Sequence, residues 1–273
     1  MTALIIYHAN CADGFTAAWV AHRALDGDVE LLPAHYGDAP PDVTGRHVFV
    51  LDFSYPHAVL EEMHAKAASM LVLDHHKTAE AELAGLPYCV FDLARSGAGL
   101  TWDHFYPASV RPSIVDLVED GDLWRFARGE DTQLFRAVLG SYDFTLGNWD
   151  YIDNKSLVTL REEGAAIVRM QSRMTDASVK TAVECELAGH NVLVTNLTTG
   201  QIISSVGTKL AEGRAFAATY FVRGDGKIVY SLRSSGAGID VSEVATQFGG
   251  GGHRNAAGFI VDGFVHTLKK AAE

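Results

Sequence analysis

Apolar positions in the first hundred residues fall into short unbroken runs separated by stretches with helical spacing. The runs at 3–7, 29–33, 47–51, 70–73 and 88–91 have the length of buried strands. Between them, 14–25 and 56–68 carry apolar residues three and four apart, for instance Val59, Leu60, Met63 and Ala67. Ser54 is expected to cap the second of these helices, with Pro56 in its first turn, where a missing N–H is harmless. Alternating strand and helix units predict an α/β fold with a doubly wound parallel sheet. From about 95 to 187 the pattern turns mostly helical, and 154–188, charged and free of proline, reads as a helical linker. Past Gly189, the runs 191–195, 201–206, 215–222 and 227–233 read as strands, and Asp225-Gly226 as a hairpin turn. Asp240 followed by Glu243 predicts a capped short helix over 241–248. The expected organisation is therefore an N-terminal parallel-sheet domain (1–153), a helical linker (154–188) and a smaller α+β domain (189–273).

Composition narrows the functional classes. At 273 residues, 48% hydrophobic and 21% charged, the chain has the make-up of a globular protein with a large core. A formal net charge of -12 argues against a sequence-independent binder of long duplexes, while leaving small anionic substrates open. No apolar run approaches bilayer length and no basic-then-apolar leader opens the chain, so neither a membrane nor an export route is expected. Three widely spaced cysteines suggest no disulfide framework and fit a reducing cytoplasm.

Three of the predicted strands end in residues that bind metals. Met70-Leu71-Val72-Leu73 runs into Asp74-His75-His76, Leu4-Ile5-Ile6-Tyr7 into His8, and Val48-Phe49-Val50-Leu51 into Asp52. In an open parallel sheet the carboxyl ends of the strands are where ligands bind. A lone His or Asp after a strand is usually a cap or a solvated loop residue, and His22, His35, His47, His57, His64, His104, His190 and His266 read that way. Three successive strand ends, with Asp13 and the Asp120-Gly121-Asp122 cluster in reserve, argue for one shared site. Mixed carboxylate and imidazole ligands favour hard divalent cations, Mn²⁺ or Mg²⁺, over thiolate-bound zinc. Two such ions about 3.5–4 Å apart can share a carboxylate, hold a nucleophilic hydroxide and clamp a phosphoryl group.

Asp74-His75-His76, the strand-end Asp52, the stretch His8-Ala9-Asn10-Cys11-Ala12-Asp13-Gly14 and the late Gly249-Gly250-Gly251-Gly252-His253 together resemble the DHH/DHHA1 phosphoesterase family, over nearly the whole chain. The resemblance implies two Mn²⁺ ions, with His8 and Asp13 as ligands, one to each metal, Asp52 bridging both ions, and His75 binding a metal. It further implies that His76 faces the scissile phosphate while Asp74 orients an imidazole. Asp120, with an aromatic shortly after it, best matches a further metal ligand, and Asp122 is the alternative. One departure from the family pattern stands out: Cys11 occupies a place where an aspartate is common. Cys11 either ligates, shifting preference to softer metals, or lines the pocket.

In the second domain the resemblance implies substrate binding by Arg233, at a strand end, and by Gly250, Gly251, Gly252, His253 and Asn255. An arginine suits a non-scissile phosphate because its planar fork binds phosphate at two points, and consecutive glycine N–H groups can form an anion concavity. Arg95-Ser96-Gly97-Ala98-Gly99 resembles a loop that closes the site, with Ser96 as a substrate contact; a plain helix-start loop is the alternative. Phe53, Tyr55 and Trp124 lie beside proposed ligands, and Phe53 is the favoured base-stacking residue. The expected reaction is metal-dependent phosphodiester hydrolysis on short oligonucleotides or small nucleotides, with a homodimer as a compatible assembly. The rivals are a cyclic (di)nucleotide phosphodiesterase, a 3′-phosphoadenosine phosphate phosphatase, and a non-catalytic nucleotide sensor with a decayed metal site.

Overall fold

A computed structural model describes residues 3–197, 200–236 and 238–268. The chain divides into two compact units, Met1–Ile167 and Val168–Glu273.

The first unit opens with β1 (Ala3–His8), α1 (Ala12–Ala24), β2 (Val29–Ala34), β3 (His47–Leu51), α2 (His57–Lys66), β4 (Ser69–Asp74), α3 (Lys77–Glu82) and β5 (Cys89–Phe91). The five strands form a parallel sheet in the order β2-β1-β3-β4-β5. Strand side chains alternate between two buried faces. Ile5, Tyr7, Leu51 and Leu73 join one core with Phe15, Trp19, Trp149 and later helices, while Leu4, Ile6, Val48, Val50 and Val72 join the other with Leu60 and Met63. Burial on both faces is why these strands read as unbroken apolar runs. The chain leaves β1 first towards β2 and later returns to its other side as β3, so the strand order reverses between β1 and β3. That is where open α/β sheets bind ligands.

The remaining helices of this unit are α4 (Gly97–Phe105), α5 (Ser113–Asp122), α6 (Glu130–Leu139) and α7 (Leu146–Asp153), and α8 (Leu157–Val179) follows. Two buried tryptophans fasten α7 to α1: Trp149 Nε1 donates to Thr16 Oγ1 (2.9 Å), and Trp19 Nε1 donates to Asp150 Oδ1 (2.8 Å). Pro56, rather than Ser54, is the N-cap of α2. Ser54 Oγ is drawn away because it donates to the buried Asp74 Oδ2 at 2.6 Å.

The second unit contains β6 (Val183–Leu187), β7 (His190–Asn196), α9 (Ile203–Ala211), β8 (Ala217–Val222), β9 (Ile228–Arg233), α10 (Val241–Thr246), β10 (Gly251–His253), β11 (Ala256–Val261) and β12 (Thr267–Leu268). These strands form a mixed sheet in the order β10-β11-β9-β8-β7-β6-β12. Two sequence expectations are corrected here. The stretch 154–188 is helical only as far as Val179, since 183–187 pairs antiparallel with β7. The stretch 201–206 is a 3₁₀ turn (Gly200–Ile202) leading into α9, not a strand. Strands β7 and β8 are parallel, so a crossover must join them. Ile202, Val206 and Leu210 supply its apolar stripe at four-residue spacing, packed with Leu197 and Ala217. Asp225-Gly226 does form the β8–β9 turn, with Gly226 at φ 83°, and Asp240 caps α10 by accepting from Ser242 N. Among the described residues no helix is long and apolar enough to cross a membrane.

Candidate metal centre

The carboxyl ends of β1, β3 and β4 meet at the β1–β3 reversal, and the side chains after them form two donor groups. His8, Asp52 and His76 present one ligand atom each, all within 4.8 Å of one another; Asp13, His75 and Asp122 do the same. Asp52 links the two. Its Oδ1 lies 3.1 Å from His75 Nε2, and its Oδ2 lies 3.5 Å from His8 Nδ1. Asp52 is only 1% exposed, its Oδ2 has no hydrogen-bond partner among the described residues, and neither does the buried His8 Nδ1. Two orphaned donor atoms facing each other in a buried acidic site cost free energy as they stand, and a divalent cation would complete them. The residues present therefore fit a metal pair.

Backbone and neighbours aim this set. Asp52 follows β3 in the left-handed region, φ 55°, which Asp tolerates better than most residues and which turns its side chain back over the strand ends. Asp13 lies in the first turn of α1, and its two oxygens accept from Gly97 N (2.5 Å) and Ala98 N (3.0 Å) at the start of α4. Gly97 must be glycine there: a Cβ would sit 2.4 Å from Asp52 Cβ. Asp74, fully buried, accepts from His75 N (2.7 Å), His76 N (3.2 Å) and His76 Nδ1 (2.7 Å). The Nδ1 bond to Asp74 fixes the orientation of the His76 ring.

Three carboxylates crowd this site, and their titration reflects it. Burial, then the charges of Asp52 and Asp122, pushes Asp13 well up. Asp122 is raised by burial and Asp52. Burial would raise Asp52 too, but the bond from His75 and the nearby His8 imidazole outweigh it and hold the carboxyl at about 2. His75 is pushed up to about 9: burial opposes its charge, while Asp52, Asp13 and Asp122 favour it more strongly. Such a site demands positive charge from whatever enters it.

The structure brings His8, Asp13, Asp52 and His75 into one cluster, with Asp74 against it through His76. His76, expected to face the scissile phosphate, stands beside His8 and Asp52 in the first donor group. Asp120 is corrected. Its carboxylate accepts from Ala127 N (2.9 Å), Arg128 N (3.2 Å) and the Thr132 hydroxyl, pinning the loop after α5, and belongs to neither donor group. Asp122, two residues on, points about 200° away around the same helix and reaches His75 at 3.5 Å. Cys11 also belongs to neither group; it borders a cavity of about 320 Å³ with Asp13, Asp122 and Arg136. Burial, followed by the charges of Asp52 and Asp13, pushes its thiol up.

The expected contacts outside the metal set fare unevenly. Ser96 is fully buried and caps α4, its Oγ accepting from Gly99 N at 3.2 Å, which is the geometry of a helix-start loop. Phe53, 1% exposed, and Tyr55 are core residues and offer no open face for stacking. Trp124 is 76% exposed and lies under the Arg136 guanidinium, 5.7 Å from its ring centre. Tyr36 escaped the sequence reading. It sits in the loop after β2, where no periodicity marks it, yet its ring packs on Phe53 (4.9 Å) and stands edge-on to His8 (5.5 Å).

In the second unit, Arg233 ends β9 with its Nη2 3.0 Å from Ser204 Oγ, and no carboxylate pairs with it among the described residues. Ala256 lies opposite both Arg233 and His253 in the sheet, and His253 and Asn255 are exposed. The glycine run has a packing role against β11. A Cβ at Gly250 would meet Gly258 O at 2.2 Å, and Gly252 takes φ 145° with its Cα face against Ala256 and Ala257, so both let the run lie flat on β11.

Comparison with known proteins agrees with this architecture. Residues 189–273 match the model of the DHHA1 domain. Uncharacterized protein R106 of Acanthamoeba polyphaga mimivirus is 27% identical over 291 residues, covering 97% of this chain and 69% of that protein. The pGpG-specific phosphodiesterase PggH from Vibrio cholerae is 17% identical, with a TM-score of 0.56 over 96% of this chain and 93% of that one. RecJ from Thermus thermophilus, solved in complex with Mn²⁺, is 15% identical with a TM-score of 0.52, over 95% of this chain but only 49% of the RecJ chain.

Proposed function

We propose that this chain, whose residues 189–273 match the DHHA1 domain, is a DHH/DHHA1 phosphoesterase that carries out metal-dependent hydrolysis of phosphodiester bonds in short oligonucleotides or small nucleotides. The observation that carries this reading is the Asp52 carboxylate standing between two donor groups, with its Oδ2 and His8 Nδ1 both unsatisfied. His8, Asp52 and His76 would hold one cation and Asp13, His75 and Asp122 the other, with Asp52 shared. The imidazole and carboxylate donors suit Mn²⁺, with Mg²⁺ as the lesser choice. When bound, such ions make water acidic enough to act as a nucleophile at neutral pH and neutralise charge on a phosphoryl group. Asp74 would hold the His76 ring in one orientation through its bond to Nδ1, leaving Nε2 as the nitrogen free to act in the site. The buried Asp13 is held by the two α4 amides, so it meets its cation already oriented. Arg233, with His253 and Asn255, would bind the non-scissile phosphate of a nucleotide through the guanidinium fork.

The test is a turnover screen of the intact protein with a diribonucleotide, a longer single strand, linear and cyclic dinucleotides and 3′-phosphoadenosine phosphate. Cleavage of the short linear substrates with Mn²⁺, abolished by chelation and restored by adding Mn²⁺ back, is the expected result. Equal rates before and after chelation would refute the reading. Arg233→Ala is expected to raise KM for a dinucleotide on the order of tenfold while leaving an artificial aryl phosphodiester unaffected. An equal loss on both substrates would remove Arg233 from phosphate recognition.

A further inference from the structure

Beside the first donor group lies a cavity of about 390 Å³ that the hydrolytic proposal leaves unused. Its walls include Tyr36, Phe53, Tyr55, Val59 and Leu83, and Asp38 and Glu82 supply carboxylates. The volume falls in the range of small-ligand pockets, and so does an apolar lining with a few polar groups. Chain connectivity ties it to the metal set: Phe53 and Ser54 follow Asp52 directly, and Thr78 comes two residues after His76. Tyr36, 57% exposed, stands at the junction. It packs on Phe53 and meets both His8 and His76 edge-on, with ring centres 5.5 and 6.2 Å away.

The geometry points to this cavity as a nucleobase pocket, with Tyr36 as the stacking residue that sets recognition of the base next to the scissile phosphate. The inference rests on the hydrolytic reading for its substrate class. Its chemistry is otherwise local. None of the lining residues is cationic, so the cavity repels phosphate and accepts a neutral group. A flat heterocycle matches the Tyr36 ring, the one aromatic of this wall with an exposed face. Asp38 Oδ2 accepts from His35 N at 2.7 Å and Glu82 Oε1 from His57 N at 3.1 Å, which fixes both carboxylates and leaves each a second oxygen. Those oxygens accept hydrogen bonds, so a base rich in ring and exocyclic N–H donors, guanine above all, suits the pocket best. The loop that carries Tyr36 is anchored: Asn10 Nδ2 lies 3.1 Å from His35 Nε2, tying it to the end of β1.

Nucleosides carry no phosphate and need no cation, so their binding separates this inference from the hydrolytic one. Saturation-transfer NMR on the intact protein should detect guanosine, with the signal lost in Tyr36→Ala and retained in Tyr36→Phe. In turnover, Tyr36→Ala should raise KM for a guanine dinucleotide roughly tenfold or more, the scale of one base stacked on one ring. It should leave a substrate with an abasic residue in place of that guanosine unchanged. Equal guanosine binding by wild type and Tyr36→Ala would overturn the pocket assignment, as would a Tyr36→Phe variant as impaired as Tyr36→Ala. Absence of all turnover alongside Tyr36-dependent guanosine binding would sink the hydrolytic reading and leave the pocket standing.

Discussion

Asp52→Asn is expected to lower Mn²⁺-dependent turnover by on the order of a thousandfold or more, with the protein still folded. Asparagine keeps the shape of the side chain and tolerates the left-handed backbone at φ 55°, so the change isolates the loss of charge and of the shared oxygen. Asp52→Ala should be equally inactive, but it adds backbone strain at a 1% exposed position and is the poorer probe. The reason for the size of the effect is that one carboxylate faces both donor groups, Oδ1 towards His75 and Oδ2 towards His8, so its removal impairs both at once. Metal content measured by elemental analysis should fall with activity. A variant with wild-type turnover and undiminished metal would remove Asp52 from the centre of the scheme.

The second large effect is a contrast between neighbours. Asp122→Asn should lose turnover on a similar scale while its thermal unfolding changes little, because the carboxylate is partly exposed and stands with His75 and Asp13 in the second donor group. Asp120→Ala should do the reverse. It leaves the Ala127 and Arg128 amides and the Thr132 hydroxyl without their acceptor, a loss of about 2–3 kcal/mol for buried bonds to a charged group. Residual activity at a temperature where Asp120→Ala is folded should then be substantial. Denaturant unfolding and turnover measured on the same two variants decide the matter, and an inactive, fully stable Asp120→Ala would reverse the assignment.

This pair also marks where sequence reading reaches its limit. Aspartates two apart in a run such as Asp120-Gly121-Asp122 are equivalent on paper. Only the rotation of α5 about its axis decides which one faces the β4 end, and that rotation is set by Ile114, Val115 and Val118 packing into the core. His8, Asp52 and Asp74-His75-His76 were legible because each follows an apolar strand, and parallel strands deliver their ends to one edge of the sheet. Ser54 misled because a hydroxyl near a helix start looks like a cap, whereas its partner, Asp74, comes from a different strand. The 201–206 stretch misled for a similar reason: β-branched residues favour strands locally, but two parallel neighbours need a helix between them.

By itself, then, the order of apolar runs and polar residues determined the parallel sheet, its strands to within a residue or two, and most of the candidate ligands. Those features depend on local periodicity and on the residue immediately after each strand. Tertiary structure alone decided that Asp122 rather than Asp120 joins the donors, that Ser96 and Phe53 are buried, and that Tyr36 stands over His8 and His76. Each of these depends on which side of an element faces its neighbour, which is settled by packing between residues far apart in the chain.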